Sequence, residues 1–180
     1  MRKEILFGGY GGQGILLMGY TTGLAAAVYE GLESAYAPSY GPEARGGSAC
    51  SKVTIADEKI IYPLVSEPEY MVIMSKEAYH KFIPMLKEGG YLFYDKDLVE
   101  LDDRAKRAKY IYAIEATRIA ESLGYRIVAN MVMLGFFTSI SEIVKLSSVE
   151  KAMLSRVPKK YADINKVALS KGHERGEEAK

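Results

Sequence analysis

A glycine-rich loop near the N-terminus has the residue types and spacing of a ligand-binding loop. Gly9-Tyr-Gly-Gly-Gln-Gly14 fits the pattern GxGxxG, follows the apolar run Ile5-Leu-Phe7 and precedes a helical pattern. In that context the backbone N–H groups of the loop and the positive end of the helix favour an anion such as a pyrophosphate. The same glycines would also permit a tight strand-to-helix turn that binds nothing. The loop is therefore a candidate anion site, with an empty turn as the alternative.

A dinucleotide such as NAD(P) is one anionic ligand that this pattern would suit. A Rossmann site also needs an acidic residue near the end of the second strand, where it holds the ribose hydroxyls. Glu33 is the acid nearest the expected distance, but it precedes the strand-like segment 34–37 and would lie at its wrong end. A self-contained NAD(P)-dependent oxidoreductase is therefore an alternative hypothesis that rests on Gly9, Gly11 and Gly14 alone.

A second glycine-rich segment, Tyr40-Gly-Pro-Glu-Ala-Arg-Gly-Gly47, has the composition of a functional loop. Its glycines allow unusual backbone angles, Pro42 stiffens the bend, and Glu43 and Arg45 form a neighbouring pair of opposite charges. Arg45 could bind a phosphate in a bidentate manner, pair with Glu43, or bridge to a neighbouring subunit. A surface turn with a solvated ion pair is an equally good interpretation of these residues alone.

The composition excludes several classes of function. Cys50 is the one cysteine, so the chain can form neither an intrachain disulfide nor the four-thiolate site of an iron–sulfur cluster. His80 and His173 lack the spacing of a zinc site. With 24 Lys and Arg against 23 Asp and Glu, the charge is too balanced for broad nucleic-acid binding. No apolar run approaches a membrane span or a signal peptide, so we expect a cytoplasmic protein. From its cysteine and histidines we expect no metal site.

No residue stands out as a catalytic acid, base or nucleophile. We expect Cys50 to be a small buried hydrophobic residue on a strand. We expect His80 to be a partly exposed residue of a helix. No catalytic residue is therefore assigned to this chain.

Alternating strand and helix patterns predict the elements that position the loops. Buried strands are expected at residues 70–74, 91–94 and 110–114, with helices at 76–87 and 116–123. Such alternation is typical of an α/β fold, here a three-layer sandwich around a mostly parallel sheet.

A β-hairpin and a polar tail complete the predicted organisation. Residues 49–56 alternate like a strand, and we expect them to pair with residues 60–62 as a hairpin inserted into the α/β fold. Residues 1–169 are predicted to form a single domain. Residues 170–180 are charged and poor in apolar side chains, so we expect a frayed C-terminal tail.

Two predicted helices have surfaces that favour close packing. Gly19, Gly23 and Ala27 recur at four-residue spacing, which lets their helix approach a neighbouring backbone closely. Residues 131–144 are apolar on several sides, so that helix requires two packing partners. The second partner is either the core of this domain or another subunit.

Three segments of the chain together resemble the gamma subunit of 2-oxoacid:ferredoxin oxidoreductases. They are Gly8-Gly-Tyr-Gly-Gly-Gln-Gly-Ile15, Ser39-Tyr-Gly-Pro-Glu-Ala-Arg-Gly-Gly47 and Asn130-Met-Val-Met-Leu-Gly-Phe-Phe137. Their order and spacing cover the chain from Lys3 to about Ile143. The length is similar to that of free-standing gamma subunits, with the 2-oxoglutarate type favoured over the pyruvate and branched-chain types.

The resemblance implies a complex that oxidatively decarboxylates a 2-oxoacid, passes electrons to ferredoxin and releases an acyl-CoA. Thiamine diphosphate and magnesium are then expected on the alpha and beta subunits, and iron–sulfur clusters on the beta and delta subunits. This chain is expected to hold no cofactor covalently and to contact neither nucleic acid nor membrane. In isolation it could form homodimers through surfaces intended for its partners.

Coenzyme A is the ligand that the resemblance implies for this chain. Its pyrophosphate or ribose phosphate would bind the glycine loop at the helix N-terminus, and the chain would orient the thiol rather than transfer a proton. A non-catalytic scaffold subunit with an empty loop is the remaining alternative. The expected binding residues are Gly11, Gly12, Gln13, Gly14, Arg45 and Asn130.

Overall fold

One six-stranded sheet forms the centre of the molecule. The computed structural model describes residues 1–40 and 47–180. The strands are β1 (Arg2–Tyr10), β2 (Glu33–Ser39), β3 (Ser48–Ala56), β4 (Tyr70–Ile73), β5 (Tyr91–Asp95) and β6 (Tyr110–Ile114). Their order across the sheet is β2-β3-β1-β4-β5-β6. β1, β4, β5 and β6 are parallel, whereas β3 is antiparallel to both β1 and β2. The mostly parallel α/β sheet predicted from the sequence is confirmed.

Helices follow or connect these strands. The α-helices are α1 (Ile15–Leu24), α2 (Lys76–Phe82), α3 (Ala116–Ser122), α4 (Ala129–Ser141), α5 (Leu146–Leu154) and α6 (Ala162–Ala179). Short 3-10 helices at Ile83–Met85, Asp103–Arg107, Arg126–Val128 and Lys159–Tyr161 extend or join them. None of the helices in residues 1–40 and 47–180 is both long and apolar enough to cross a membrane.

The hairpin differs from the one predicted. β3 pairs with β1 on one side, from Arg2 opposite Ala56 to Tyr10 opposite Ser48, and with β2 on the other. Residues 60–62 form no strand, because β3 then has no unpaired edge left to offer them. This segment instead contacts the first residue of β1, because Arg2 Nη2 donates a hydrogen bond to the carbonyl oxygen of Tyr62 at 2.7 Å. The antiparallel hairpin is therefore β2–β3, at one edge of the sheet.

Apolar clusters cover both faces of the sheet, which gives the predicted three layers. On one face, Leu6, Met71 and Ile73 pack with Tyr79 and Phe82 of α2. The larger cluster on the other face joins residues of β1, β3, β4 and β5 to α1, α3, α4, α5 and α6. Alternation along each strand divides its residues between these two layers.

Close approach of α1 to β3 explains the small residues of that helix. A Cβ atom added to Gly19 would lie 2.2 Å from Ser51 Oγ, and one added to Gly23 would lie 2.9 Å from Ser34 Oγ. Ser51 Oγ also donates to the carbonyl oxygen of Ile15 at 2.8 Å. Ala27 is exposed, so the close contact predicted from the four-residue spacing ends at Gly23.

α4 is the central helix of the larger layer and is buried along nearly its whole length. Its Phe137 ring packs edge-on against Phe7 and Phe93 of the sheet, with centroid distances of 5.4 and 5.2 Å. Its opposite side contacts α6, where a Cβ atom added to Gly135 would lie 2.0 Å from the carbonyl oxygen of Leu169. The second packing partner that the sequence required lies within this chain.

The C-terminal segment differs from the frayed tail predicted for residues 170–180. Those residues continue α6 to Ala179, and Gly172 and Gly176 are buried against α4. Ser139 Oγ of α4 also donates to Glu177 Oε1 at 2.6 Å. The composition was misleading because this contact uses glycines, whose lack of side chains permits backbone-to-backbone packing without large apolar residues.

Candidate functional site

The glycine loop, residues 11–14, connects the end of β1 to the first turn of α1. Gly12 has φ 98° and Gly14 has φ 75°, a left-handed conformation in which glycine avoids the strain of a Cβ atom. A Cβ atom added to Gly12 would have no neighbour within 4 Å among residues 1–40 and 47–180, so this side of the loop is open with respect to the described part of the chain. The loop is therefore both sterically dependent on glycine and accessible to a ligand.

Gln13 holds the loop to the sheet. Its Oε1 accepts a hydrogen bond from the backbone N–H of Tyr10 at 2.6 Å, and its Nε2 donates to the carbonyl oxygen of Met74 at 3.0 Å. Tyr10 ends β1, and Met74 follows β4, the parallel neighbour of β1. The glutamine side chain thus fixes the loop relative to two adjacent strand ends and is not free to bind a ligand.

Asn130 closes the loop from the side of α4. The residue is 5% exposed, and its Nδ2 lies 3.4 Å from the carbonyl oxygen of Gly14. A Cβ atom added to Gly14 would lie 2.2 Å from the same nitrogen. Although they are 116 positions apart, Asn130 and the loop form one structural unit.

The N-terminus of α1 offers backbone donors to a ligand. The first N–H groups of an α-helix have no acceptor within the helix. The N-cap residue is Gly14, and within the described part of the chain no side chain caps it. Together with the helix dipole, these N–H groups favour an anion beside residues 12–14.

Two cavities adjoin the loop, and Gly12 and Ile127 line both. The first, here called the strand-end cavity, has a volume of about 340 Å³. It is lined by Gly12, Gln13, Met74, Thr117, Arg126, Ile127 and Ala129. The second, here called the helix cavity, has a volume of about 350 Å³ and lies between α1, α4 and the start of α6. Both volumes are in the range of small-ligand pockets.

Thr117 gives the strand-end cavity a polar group of fixed orientation. Its backbone N–H and its hydroxyl donate to Asp95 Oδ2 at 2.8 and 2.7 Å. Asp95 ends β5 and is fully buried. Because the hydroxyl proton is used in this bond, Thr117 presents acceptor lone pairs to the cavity.

Charged side chains lie at the margins of the site. Arg126 lines the strand-end cavity, and its Nη1 pairs with Glu121 Oε1 at 2.7 Å while both side chains stay largely solvent-exposed. On the other side of the loop, a hydrogen bond with Glu77 raises the pKa of the Tyr10 phenol. Among the described residues that line the two cavities, Arg126 is therefore the one cation, and its exposed ion pair is weak.

Most of the residues predicted for the site lie together. Gly11, Gly12, Gln13, Gly14 and Asn130 form the unit described above. Arg45 and Glu43 lie outside the described residues; the chain re-enters the described part at Gly47, whose carbonyl oxygen accepts from Gly11 N at 3.3 Å.

The sequence analysis missed Thr117, Arg126 and Ile127 as lining residues. Only the position of Thr117 three residues after a predicted strand could have indicated it, because the carboxyl ends of parallel strands meet at one edge of the sheet.

The other potentially reactive residues line neither of the two cavities. Cys50 is 4% exposed, and burial raises the pKa of its thiol, so it is a buried residue as predicted. His80 lies in α2 and is exposed. Glu33 lies level with Ala56 and hence with Arg2, at the end of the sheet opposite the loop. As its position in the sequence indicated, Glu33 therefore cannot bind a ribose at the glycine loop. Residues 1–40 and 47–180 contain no group of His, Cys, Asp or Glu side chains arranged to hold a metal.

Known proteins match this chain over nearly its full length. The sequence model of the pyruvate ferredoxin/flavodoxin oxidoreductase family matches residues 4–175. The 2-oxoglutarate synthase subunit KorC of Methanocaldococcus jannaschii is 47% identical over 175 residues, covering 97% of this chain and 94% of that protein. The gamma subunit of a keto/oxoacid ferredoxin oxidoreductase from Geobacter sulfurreducens has the same fold, with a TM-score of 0.86 at 36% identity over 98% of this chain and 97% of that one.

A larger protein contains the same fold as one part. The 2-oxoglutarate:ferredoxin oxidoreductase of Magnetococcus marinus, solved with 2-oxoglutarate, coenzyme A and succinyl-CoA bound, matches with a TM-score of 0.85 at 21% identity. The match covers 98% of this chain and 31% of that chain. The fold and the glycine loop define a subunit of an oxidoreductase rather than a complete enzyme. The chain belongs to the pyruvate ferredoxin/flavodoxin oxidoreductase family, as a gamma-type subunit of a 2-oxoacid:ferredoxin oxidoreductase.

Proposed function

We propose that this chain is the gamma subunit of a 2-oxoglutarate:ferredoxin oxidoreductase and that it places coenzyme A for the reaction. The complex would convert 2-oxoglutarate and coenzyme A into succinyl-CoA and carbon dioxide, with two electrons passing to ferredoxin. The alpha and beta subunits would carry thiamine diphosphate and magnesium for decarboxylation, and the beta and delta subunits would carry iron–sulfur clusters for electron transfer. The choice of 2-oxoglutarate rests on the 47% identity to a 2-oxoglutarate synthase subunit.

The open side of the glycine loop is the observation that carries the role in coenzyme A binding. No atom of residues 1–40 or 47–180 lies within 4 Å of a Cβ atom added to Gly12, no side chain of those residues caps the adjacent N–H groups of α1, and two cavities begin there. A pyrophosphate fits this chemistry, because backbone donors and a helix N-terminus bind it without an excess of lysine. The arms on either side of the pyrophosphate would then enter the two cavities.

The contribution of this subunit is orientation. Gln13 and Thr117 are both held by hydrogen bonds to the protein, and neither is a suitable proton acceptor. Gln13 would instead fix the loop, and Thr117 would help to hold the thiol end of coenzyme A toward a partner subunit, where a well-oriented reactant lowers the entropic part of the barrier. Cytoplasmic location belongs to the same proposal, because its soluble substrates and its reduced Cys50 suit that compartment.

Substitution of Gly12 by Asp tests the proposal in the assembled complex. A carboxylate at this position would occupy the anion site and repel a phosphate, so we expect the KM for coenzyme A to rise at least tenfold, about 1.4 kcal/mol. The assay is ferredoxin reduction by 2-oxoglutarate at varied coenzyme A, with co-purification of the larger subunits as the check on assembly.

Gly89→Asp is the matched control. Gly89 also has positive φ, 78°, with no atom of the described residues within 4 Å of an added Cβ, but it lies before β5, at the opposite end of the sheet. An equal loss in both variants would point to backbone strain. A normal coenzyme A dependence in Gly12→Asp would instead support a scaffold subunit with an empty loop, and tight NAD(P) binding would support a dinucleotide enzyme.

Isolated chains offer apolar surface for association. Ile61 is 89% exposed, and the neighbouring Tyr62 and Leu64 are also exposed. We expect this segment to be covered by a partner subunit in the complex and to promote homodimers when the chain is purified alone.

A further inference from the structure

The helix cavity differs chemically from the strand-end cavity, although both begin at Gly12. Its walls come from the glycine loop, α1, the turn before α4, the start of α4, the segment between α5 and α6, and α6. Most of its lining side chains are apolar or aromatic, namely Leu17, Tyr125, Ile127, Val128, Val157, Pro158, Tyr161 and Ile164. Among its described lining residues there is no lysine, arginine, aspartate or glutamate. This composition suits a flat, uncharged ring and not a phosphate.

Asn165 gives this apolar cavity one directed polar group. The residue is 8% exposed and lines the cavity. Its Nδ2 donates to the carbonyl oxygen of Tyr161 at 2.8 Å. Because a carbonyl oxygen can only accept, this bond fixes which end of the amide is nitrogen.

The other end of that amide is available to a ligand. In the described part of the chain, Oδ1 of Asn165 accepts no hydrogen bond. Because Asn165 lines the cavity, this acceptor can pair with a ligand there that donates a hydrogen bond. An amino group on an aromatic ring has the required chemistry.

We infer that the helix cavity binds the adenine ring of coenzyme A, with Asn165 Oδ1 accepting a hydrogen bond from the exocyclic amino group. The inference rests on the proposed function, which puts the pyrophosphate at the glycine loop. Adenine lies on one side of that pyrophosphate and pantetheine on the other. The pantetheine arm then leaves through the strand-end cavity, past Thr117, whose acceptor lone pairs suit an amide N–H.

Coenzyme A with hypoxanthine in place of adenine provides the discriminating probe. Hypoxanthine has a carbonyl oxygen where adenine has the amino group, so it would place an acceptor against Asn165 Oδ1. With the complete complex, we expect the KM for this analogue to exceed that for coenzyme A by about tenfold at unchanged kcat. In Asn165→Ala, the KM for coenzyme A should rise by a similar factor and the difference between the two substrates should largely disappear. Equal KM values in the parent complex, or discrimination that survives in Asn165→Ala, would overturn the inference.

A second variant tests the cavity without removing the asparagine. Tyr161→Ala should raise the KM for coenzyme A several-fold but leave the KM for pantetheine 4′-phosphate, which lacks adenosine, unchanged. Tyr29→Ala is the control, because Tyr29 is as exposed as Tyr161, at 40% against 41%, and lines no part of this cavity. If Tyr161→Ala raised both KM values equally, the cavity would hold pantetheine and the inference would fail.

The Gly12→Asp variant separates this inference from the proposed function. A strong coenzyme A defect in Gly12→Asp together with parental KM values in Asn165→Ala and Tyr161→Ala would refute the adenine site alone. Parental behaviour of all three variants would refute both.

Discussion

Replacement of Gly172 by Ala tests the backbone contact between α4 and α6. A Cβ atom at this position would lie 1.8 Å from the carbonyl oxygen of Val132 and 2.9 Å from the backbone nitrogen of Phe136. Neither atom belongs to a flexible side chain, so the helices must separate by roughly 1.5 Å to reach ordinary contact distances. Alanine gains about 1 kcal/mol of helix propensity over glycine.

The steric cost of the added Cβ atom should exceed the gain in helix propensity. Overpacking in a core costs about 1–3 kcal/mol and sometimes more, and here the displaced helix α4 also contacts the sheet through Phe137. We therefore expect a net loss of about 2–3 kcal/mol in the free energy of unfolding and a fall in Tm of about 5–10 °C.

Thermal and urea unfolding followed by far-ultraviolet circular dichroism measure this effect. Ser170→Ala is the matched control, because Ser170 lies on the exposed side of the same helix and should change the free energy by less than about 0.5 kcal/mol. A Gly172→Ala protein as stable as its parent would show that the two backbones do not meet at this point, and the account of the C-terminal helix would be wrong.

Two further predictions concern polar contacts. The Arg104 guanidinium holds the pKa of the Asp102 carboxyl below its ordinary value, so the carboxylate contributes stability above about pH 3.9 that is lost as pH falls below it. Asp102→Asn should thus destabilise the protein at neutral pH, and the difference from the parent in urea unfolding should shrink in acid. Gln13→Ala removes hydrogen bonds to Tyr10 and Met74, so it should lower the free energy of unfolding by about 1–3 kcal/mol and raise the KM for coenzyme A. A parental KM in that variant would show that the side chain does not position the loop.

Local patterns predicted the parallel part of the fold correctly. β4, β5 and β6 were expected from short apolar runs, and α4 was expected from apolar residues on several sides. These elements depend on periodicity that is visible within a few residues. The pairing of β3 was predicted wrongly, since a strand with two possible neighbours does not reveal which edge is already taken.

The candidate site likewise has parts that the local sequence predicted and parts that only the fold brings together. The glycine loop was recognisable because its residues are contiguous and follow a strand. The association of Asn130 with the loop came from a resemblance and not from spacing. Thr117 has only its position shortly after a predicted strand to connect it to residues 11–14, and Arg126 has no such feature. Thr117 lies beside the loop because the parallel strands end at one edge, and Arg126 because the turn before α4 packs there.

The sequence by itself determined the positions of most strands and helices, the glycine loop and the absence of a four-cysteine cluster site. These properties follow from local composition and from short-range geometry. Tertiary structure alone decided the strand partners, the burial of Gly172 and Gly176, and the two cavities that meet at Gly12. Each of these depends on atoms far apart in the chain whose contact is set by the packing of whole elements, which no local pattern encodes.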